Sequence, residues 1–116
     1  MSENQFVVID KFGYTIICTR ERWQHIISGH EYLGNREDDV AETIAEPKEG
    51  VYRSKPNPAC YVACRSNGGE GKPYLKAVVR CNPSQSSGIV ITAYAAQQIG
   101  GENIDTSARL YPKGDL

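Results

Sequence analysis

At 116 residues, with 40% hydrophobic and 23% charged side chains, the chain has the make-up of one globular domain and not of a disordered segment. A net charge of −1 argues against a strong non-specific nucleic-acid binder. No apolar run approaches the roughly 20 residues needed to span a bilayer, and Met-Ser-Glu-Asn-Gln at the start lacks the features of a signal sequence, so a cytoplasmic protein with no membrane partner is expected.

Residues 6–10 and 14–19 are β-branched and aromatic runs around Lys11-Phe12-Gly13 and predict a hairpin. The next stretch, Thr-Arg-Glu-Arg-Trp-Gln-His-Ile-Ile-Ser-Gly-His from Thr19 to His30, predicts a helix, because Trp23, Ile26 and Ile27 fall on one face. Thr19 is a good N-cap, although Arg22 stands where a capping box would have Glu or Gln. Gly29 is the expected stop. Asn35 should cap a second helix over 36–46, with Val40, Ile44 and Ala41 as its buried stripe and Pro47 as its end.

Beyond Gly50 the period changes to alternation, and 51–55, 59–65, 73–81 and 88–96 read as four strands joined by Pro-, Asn- and Gly-rich turns. Connections this short imply antiparallel pairing. From Gln97 the pattern fades, and the expectation is a loosely packed tail with a short helix or an extra strand near Arg109. The predicted architecture is α+β: an N-terminal hairpin and two helices packed on a four-stranded antiparallel sheet. It makes one domain over 1–116, with a core at about 6–96 and a tail at 97–116.

The two histidines of the protein, His25 and His30, both lie in the first helical stretch. Histidine is the side chain whose ordinary pKa suits proton transfer at neutral pH. On an unbroken helix a five-residue separation places them about 140° apart, but a break at Gly29 lets them converge. The alternative is a solvated helix residue and a capping group, and both readings stand. The four cysteines, Cys18, Cys60, Cys64 and Cys81, sit in apolar runs and are expected as buried free thiols, with no metal site and no cofactor.

Charge is unevenly spread. Residues 20–50 carry four basic and eight acidic side chains, whereas residues 51–80 carry six basic ones against Glu70 alone. Strand alternation is expected to collect Arg53, Tyr61, Arg65, Tyr74, Lys76, Arg80, Thr92 and Tyr94 on one face, opposite Ile89, Ile91, Ala93 and Ala95. Basic groups neutralise phosphate and aromatic rings stack on unpaired bases, so RNA contact is one reading of that face. The plain outer surface of a half-exposed sheet is the other. Thr92 interrupts an apolar strand, where its hydroxyl could hold a phosphate oxygen or make a cross-strand hydrogen bond. Glu37, Asp38 and Asp39 suit the start of a helix and look structural.

The Thr19–His30 stretch, Pro-Lys-Glu-Gly-Val-Tyr-Arg-Ser, Tyr-Leu-Lys-Ala-Val-Val-Arg and Gly-Ile-Val-Ile-Thr-Ala-Tyr together resemble the phage nuclease domains grouped with barnase, EndoU, colicin and RelE toxins. The resemblance covers roughly residues 17–96. It implies two helices on a four-stranded antiparallel sheet and metal-independent RNA cleavage, in which the 2′-hydroxyl attacks the adjacent phosphate to leave a cyclic product. By that resemblance His25 or His30 is the general base or acid, Arg53 stabilises the charge on phosphorus and Thr92 positions a phosphate oxygen. Lys76 and Tyr94 would contact the transition state or a base. Tyr61, Arg65 and Arg80 are expected to bind substrate from their place on the basic and aromatic face, not from the resemblance.

The expected function is a small ribonuclease, toxin-like or a phage-encoded effector, acting on RNA such as tRNA, with a cognate antitoxin or immunity protein as a candidate partner. The alternative is a non-catalytic binding module on the same scaffold, such as an immunity or inhibitor protein. A weaker third reading is a structural phage protein that forms a homodimer through its sheet.

Overall fold

The computed structural model describes residues 3–101 and 104–112. In chain order it comprises β1 (Asn4–Ile9), β2 (Thr15–Thr19), α1 (Arg20–Gly29), α2 (Glu37–Ala45), β3 (Gly50–Ser54), β4 (Cys60–Arg65), β5 (Tyr74–Asn82), β6 (Ser87–Ala96) and β7 (Ile104–Tyr111). Single 3-10 turns lie at Glu31–Leu33 and Pro83–Gln85.

The sheet corrects the predicted fold. It has seven strands, not four, in the order β1-β2-β6-β5-β4-β3-β7. The meander β3 to β6 is present and antiparallel, as its short turns require. The hairpin is not a separate unit: β2 runs parallel to β6, with Thr15–Ile17 beside Ser87–Ile89. At the other edge β7 pairs antiparallel with β3, so the expected loose tail includes an edge strand. Both additions satisfy edge N–H and C=O groups that a four-stranded sheet would leave unpaired. Gly88 makes the parallel junction fit. A Cβ there would lie 2.8 Å from the Arg80 carbonyl oxygen and 2.9 Å from Ile16 Cδ1.

The helices start and stop for local reasons. Thr19 caps α1 as expected, its Oγ1 accepting from the Arg22 N–H at 3.1 Å. Gly29 is the last helical residue, and His30 follows in a non-helical conformation with its N–H still bonded to the Ile26 carbonyl. Asn35 does not cap α2. It adopts the left-handed conformation at φ 67°, and Arg36 takes the N-cap position without a side-chain cap. The Arg36 guanidinium instead pairs with Asp39 at 2.8 Å and donates to the Gly68 and Asn67 carbonyls at 2.7 Å, tying the start of α2 to the β4–β5 loop.

Both helices pack on one face. Trp23 and Ile26 of α1, with Val40 and Ile44 of α2, are buried against Ile16, Cys18, Val51, Leu75, Val79 and Val90. A row of small side chains, Ala63 opposite Ala77 opposite Ala93, crosses the three central strands beneath them and allows close approach. A second, smaller cluster lies on the other face, where Val62, Cys64 and Ile104 are buried together and Tyr52, Val78 and Ile99 pack against them.

One irregularity reverses an expected face. Val78 stands opposite Thr92 but Val79 opposite Val90, so Ile91 is an extra residue in β6. The alternation inverts there. Val90 is buried at 1% exposure, whereas Ile89, expected in the apolar set, is 46% exposed.

Candidate functional site

The face away from the helices is built from alternate residues of β4, β5 and β6. Lys76 is opposite Tyr94 and Cys64, Val78 opposite Thr92 and Val62, and Arg80 opposite Ile89 and Cys60. A concavity of about 300 Å³ lies here, lined among others by Ser54, Asn57, Arg80, Thr92 and Tyr94.

His30 reaches this face around the sheet edge. β2 covers β6 only as far as Ile89, and the Ala95 N–H beyond it donates to the Tyr32 hydroxyl at 2.8 Å. That bond holds the turn after α1 against β6. The His30 ring then lies 5.9 Å from Tyr32, edge to face, and 6.2 Å from Tyr94 at an interplanar angle of 32°. Tyr94 in turn has the Lys76 ammonium 6.0 Å from its ring centre.

Lys76 is 4% exposed, and its Nζ donates to the Ile99 carbonyl at 2.6 Å. No carboxylate among the described residues is in ion-pair contact with it. Burial lowers the Lys76 pKa below its ordinary value, and burial raises that of the Tyr94 phenol.

The register separates the other predicted residues from this group. Tyr61 pairs with Val79 and Arg65 with Leu75, both on the helix-covered face, and Arg53 pairs with Tyr61 on that same side. The expected single face carrying Arg53, Tyr61, Arg65 and Thr92 together therefore does not exist, because each strand's phase is set by its pairing partner. Arg65 donates to the Glu46 carbonyl at 2.7 Å and to Glu42 at 2.8 Å, closing the C-terminal end of α2. The Tyr61 hydroxyl donates to Asp10 at 2.7 Å. His25 is exposed on α1, and among the described residues its ring makes no hydrogen bond or ring contact. Tyr74 is half-buried on β5 opposite Ala96.

No protein-family model matches this chain, and no curated protein or solved structure matches it either. Cys18, Cys60 and Cys64 are buried free thiols and Cys81 is a half-buried one. Burial pushes Cys64 up to about 12 and Cys18 and Cys81 up to about 11, which keeps these thiols protonated and poorly nucleophilic. Among the described residues no three His, Cys, Asp or Glu side chains are grouped to hold a metal ion, and no helix is long and apolar enough to cross a membrane.

Two members of the site, Tyr32 and the Ile99 carbonyl, lie outside the sequence expectations. Tyr32 follows His30 by two residues, and an aromatic beside a candidate histidine is a signal that was present. The Ile99 carbonyl, a backbone group in a Gly-rich segment, had none.

Proposed function

We propose that the chain is a small metal-independent ribonuclease that binds RNA on the face away from the helices. The observation that carries this reading is the His30 imidazole beside Tyr94, on the strand that also presents Thr92, with Lys76 and Arg80 on its neighbour. Arg80 holds the phosphate, Thr92 Oγ1 donates to one of its oxygens and the Tyr94 ring stacks on a base. His30 takes the proton of the ribose 2′-hydroxyl as that oxygen bonds to phosphorus. The 5′-oxygen leaves with a proton from water, and the product ends in a 2′,3′-cyclic phosphate. The reading agrees with the activity implied by the resemblance to the barnase, EndoU, colicin and RelE group. It carries the same corollaries, a toxin-like role in a cytoplasm and a cognate antitoxin.

A second reading, a non-catalytic binding module on this surface, is favoured by one observation: the Lys76 ammonium is taken up by Ile99. Incubation with total tRNA in EDTA separates the two. Wild type and His25→Ala should yield discrete fragments with cyclic phosphate ends, and His30→Ala should be slower by about 100-fold or more. Intact RNA from folded wild type overturns the ribonuclease reading and supports the binding module, an immunity- or inhibitor-like protein whose partner is another protein.

A further inference from the structure

The helices leave one end of their own face of the sheet uncovered, and a separate cavity of about 400 Å³ lies there. Its walls include Phe12 from the hairpin turn, Tyr61 of β4, Cys81 of β5 and Leu110 of β7, with Arg53 also lining it. These walls are fixed. Asp10 is buried and its carboxylate accepts from the N–H groups of Phe12 at 2.9 Å and Tyr14 at 2.8 Å and from the Tyr61 hydroxyl at 2.7 Å. The Phe12 ring stands edge-on to Tyr61 at 5.6 Å and is 40% exposed, a large apolar side chain left facing solvent.

Arg53 supplies the charge. Its exposed guanidinium donates to the Pro58 carbonyl at 2.9 Å, and among the described residues it makes no ion pair. Asp105, directly opposite on β7, accepts instead from the Ser107 N–H at 3.0 Å. Arg53 lines the cavity and Asp10, held behind Tyr61, does not, so an incoming anion meets Arg53 first. A cavity of this size with aromatic walls and one cation suits a ligand with a flat apolar body and one acidic group. We infer that the Phe12–Tyr61–Arg53 cavity binds a small aromatic carboxylate, with its ring against Phe12 and Tyr61 and its carboxylate on Arg53. The site faces away from Thr92 and Tyr94, so it stands or falls independently of RNA cleavage.

Three ligands of one shape test it on the wild-type protein: 1-naphthoate, neutral 1-naphthamide and cationic 1-naphthylmethylammonium, titrated by calorimetry and by amide chemical shifts. Naphthoate should bind saturably and shift Phe12, Tyr14 and Leu110, with the amide weaker by about tenfold and the cation weaker still. Arg53→Gln should lower naphthoate affinity by about tenfold while the rest of the amide spectrum is unchanged. Ala59→Phe, at an exposed position of the lining, should block binding. Absence of saturable naphthoate binding, equal affinity for the three ligands, or shifts confined to Thr92 and Tyr94 would each overturn the inference. Because the ligand series uses wild type, it decides the matter even where a variant fails to fold.

Discussion

The Lys76 ammonium donates to the Ile99 carbonyl at 2.6 Å, so a lysine of a central strand holds down the segment that leads from β6 to β7. Ile99 itself packs against the cluster of Val62, Cys64 and Ile104, and the same segment thus supplies both the acceptor and part of the cover over the charge. A buried ammonium with one neutral acceptor and no carboxylate carries a desolvation cost that an apolar chain would not.

Lys76→Met is accordingly expected to raise stability at neutral pH. The folded-state pKa of Lys76 is depressed by burial, so its charged form costs stability below that value. The cost is relieved as pH rises from the folded value toward the ordinary 10.5, where the unfolded chain still binds the proton. Urea unfolding of wild type and Lys76→Met across this range checks the sign. The variant should lead at neutral pH, and its lead should shrink on approach to pH 10.5. A constant or growing difference would contradict it. The same variant should bind RNA more weakly, since it loses positive potential at the face.

The thiols act in the opposite sense. Burial disfavours the Cys64 thiolate and pushes the thiol up to about 12 in the folded chain, against an ordinary 9.0. Below pH 9 both states hold the proton and the stability is fully present. Above it the unfolded chain ionises first, and stability is lost up to the folded value at roughly 1.4 kcal/mol per pH unit for this group. Cys64→Ala should therefore be less stable than wild type near pH 7.5, from the lost packing, yet fall less steeply between about pH 9 and pH 10.5. Parallel pH profiles for the two proteins would rule out this assignment.

How much of this was legible in the sequence depends on whether a feature is local. The strand positions, Thr19 as a cap and the buried Trp23, Ile26, Val40 and Ile44 follow from periods of two and 3.6, which neighbouring residues alone determine. The parallel joint of β2 with β6 and the pairing of β7 with β3 join segments far apart in sequence, and no local pattern specifies either. The phase of one strand relative to the next is non-local too. Alternation within each strand therefore puts Arg53 and Tyr61 beside Thr92, whereas the pairing places them behind it. The extra residue Ile91 leaves no mark in an apolar run, yet it inverts Ile89 and Val90. Residue type alone points to His30, but its meeting with Tyr94 depends on the Tyr32 hydroxyl finding a free N–H on β6.

Tyr61→Phe tests the floor of the second cavity. The Tyr61 hydroxyl is buried and donates to Asp10 Oδ2 at 2.7 Å, and burial with that bond raises the phenol's pKa. Removing it leaves a buried carboxylate oxygen short of a donor, at a cost of about 1–3 kcal/mol. Asp10→Ala should cost more, because it also deprives the Phe12 and Tyr14 N–H groups of their acceptor and loosens the hairpin turn. Chemical denaturation of both variants gives the order. A Tyr61→Phe variant as stable as wild type would show that the oxygen finds water instead.

Arg65→Ala and Arg80→Ala form a matched pair for the RNA-binding face. Both remove a guanidinium, but Arg65 spends its donors on Glu46 and Glu42 at the end of α2, whereas Arg80 stands exposed opposite Ile89 on the face away from the helices. Arg65→Ala should cost stability, about 1 kcal/mol for a partly exposed cap and ion pair, and leave RNA affinity unchanged. Arg80→Ala should leave stability within about 0.5 kcal/mol of wild type and reduce the salt dependence of RNA binding by about one counterion. Filter binding to a short single-stranded RNA over a range of salt concentrations, beside urea denaturation, reads both quantities. If Arg65→Ala lost affinity and Arg80→Ala did not, RNA would bind the helix side of the sheet, and the site assigned to His30, Thr92 and Tyr94 would be wrong.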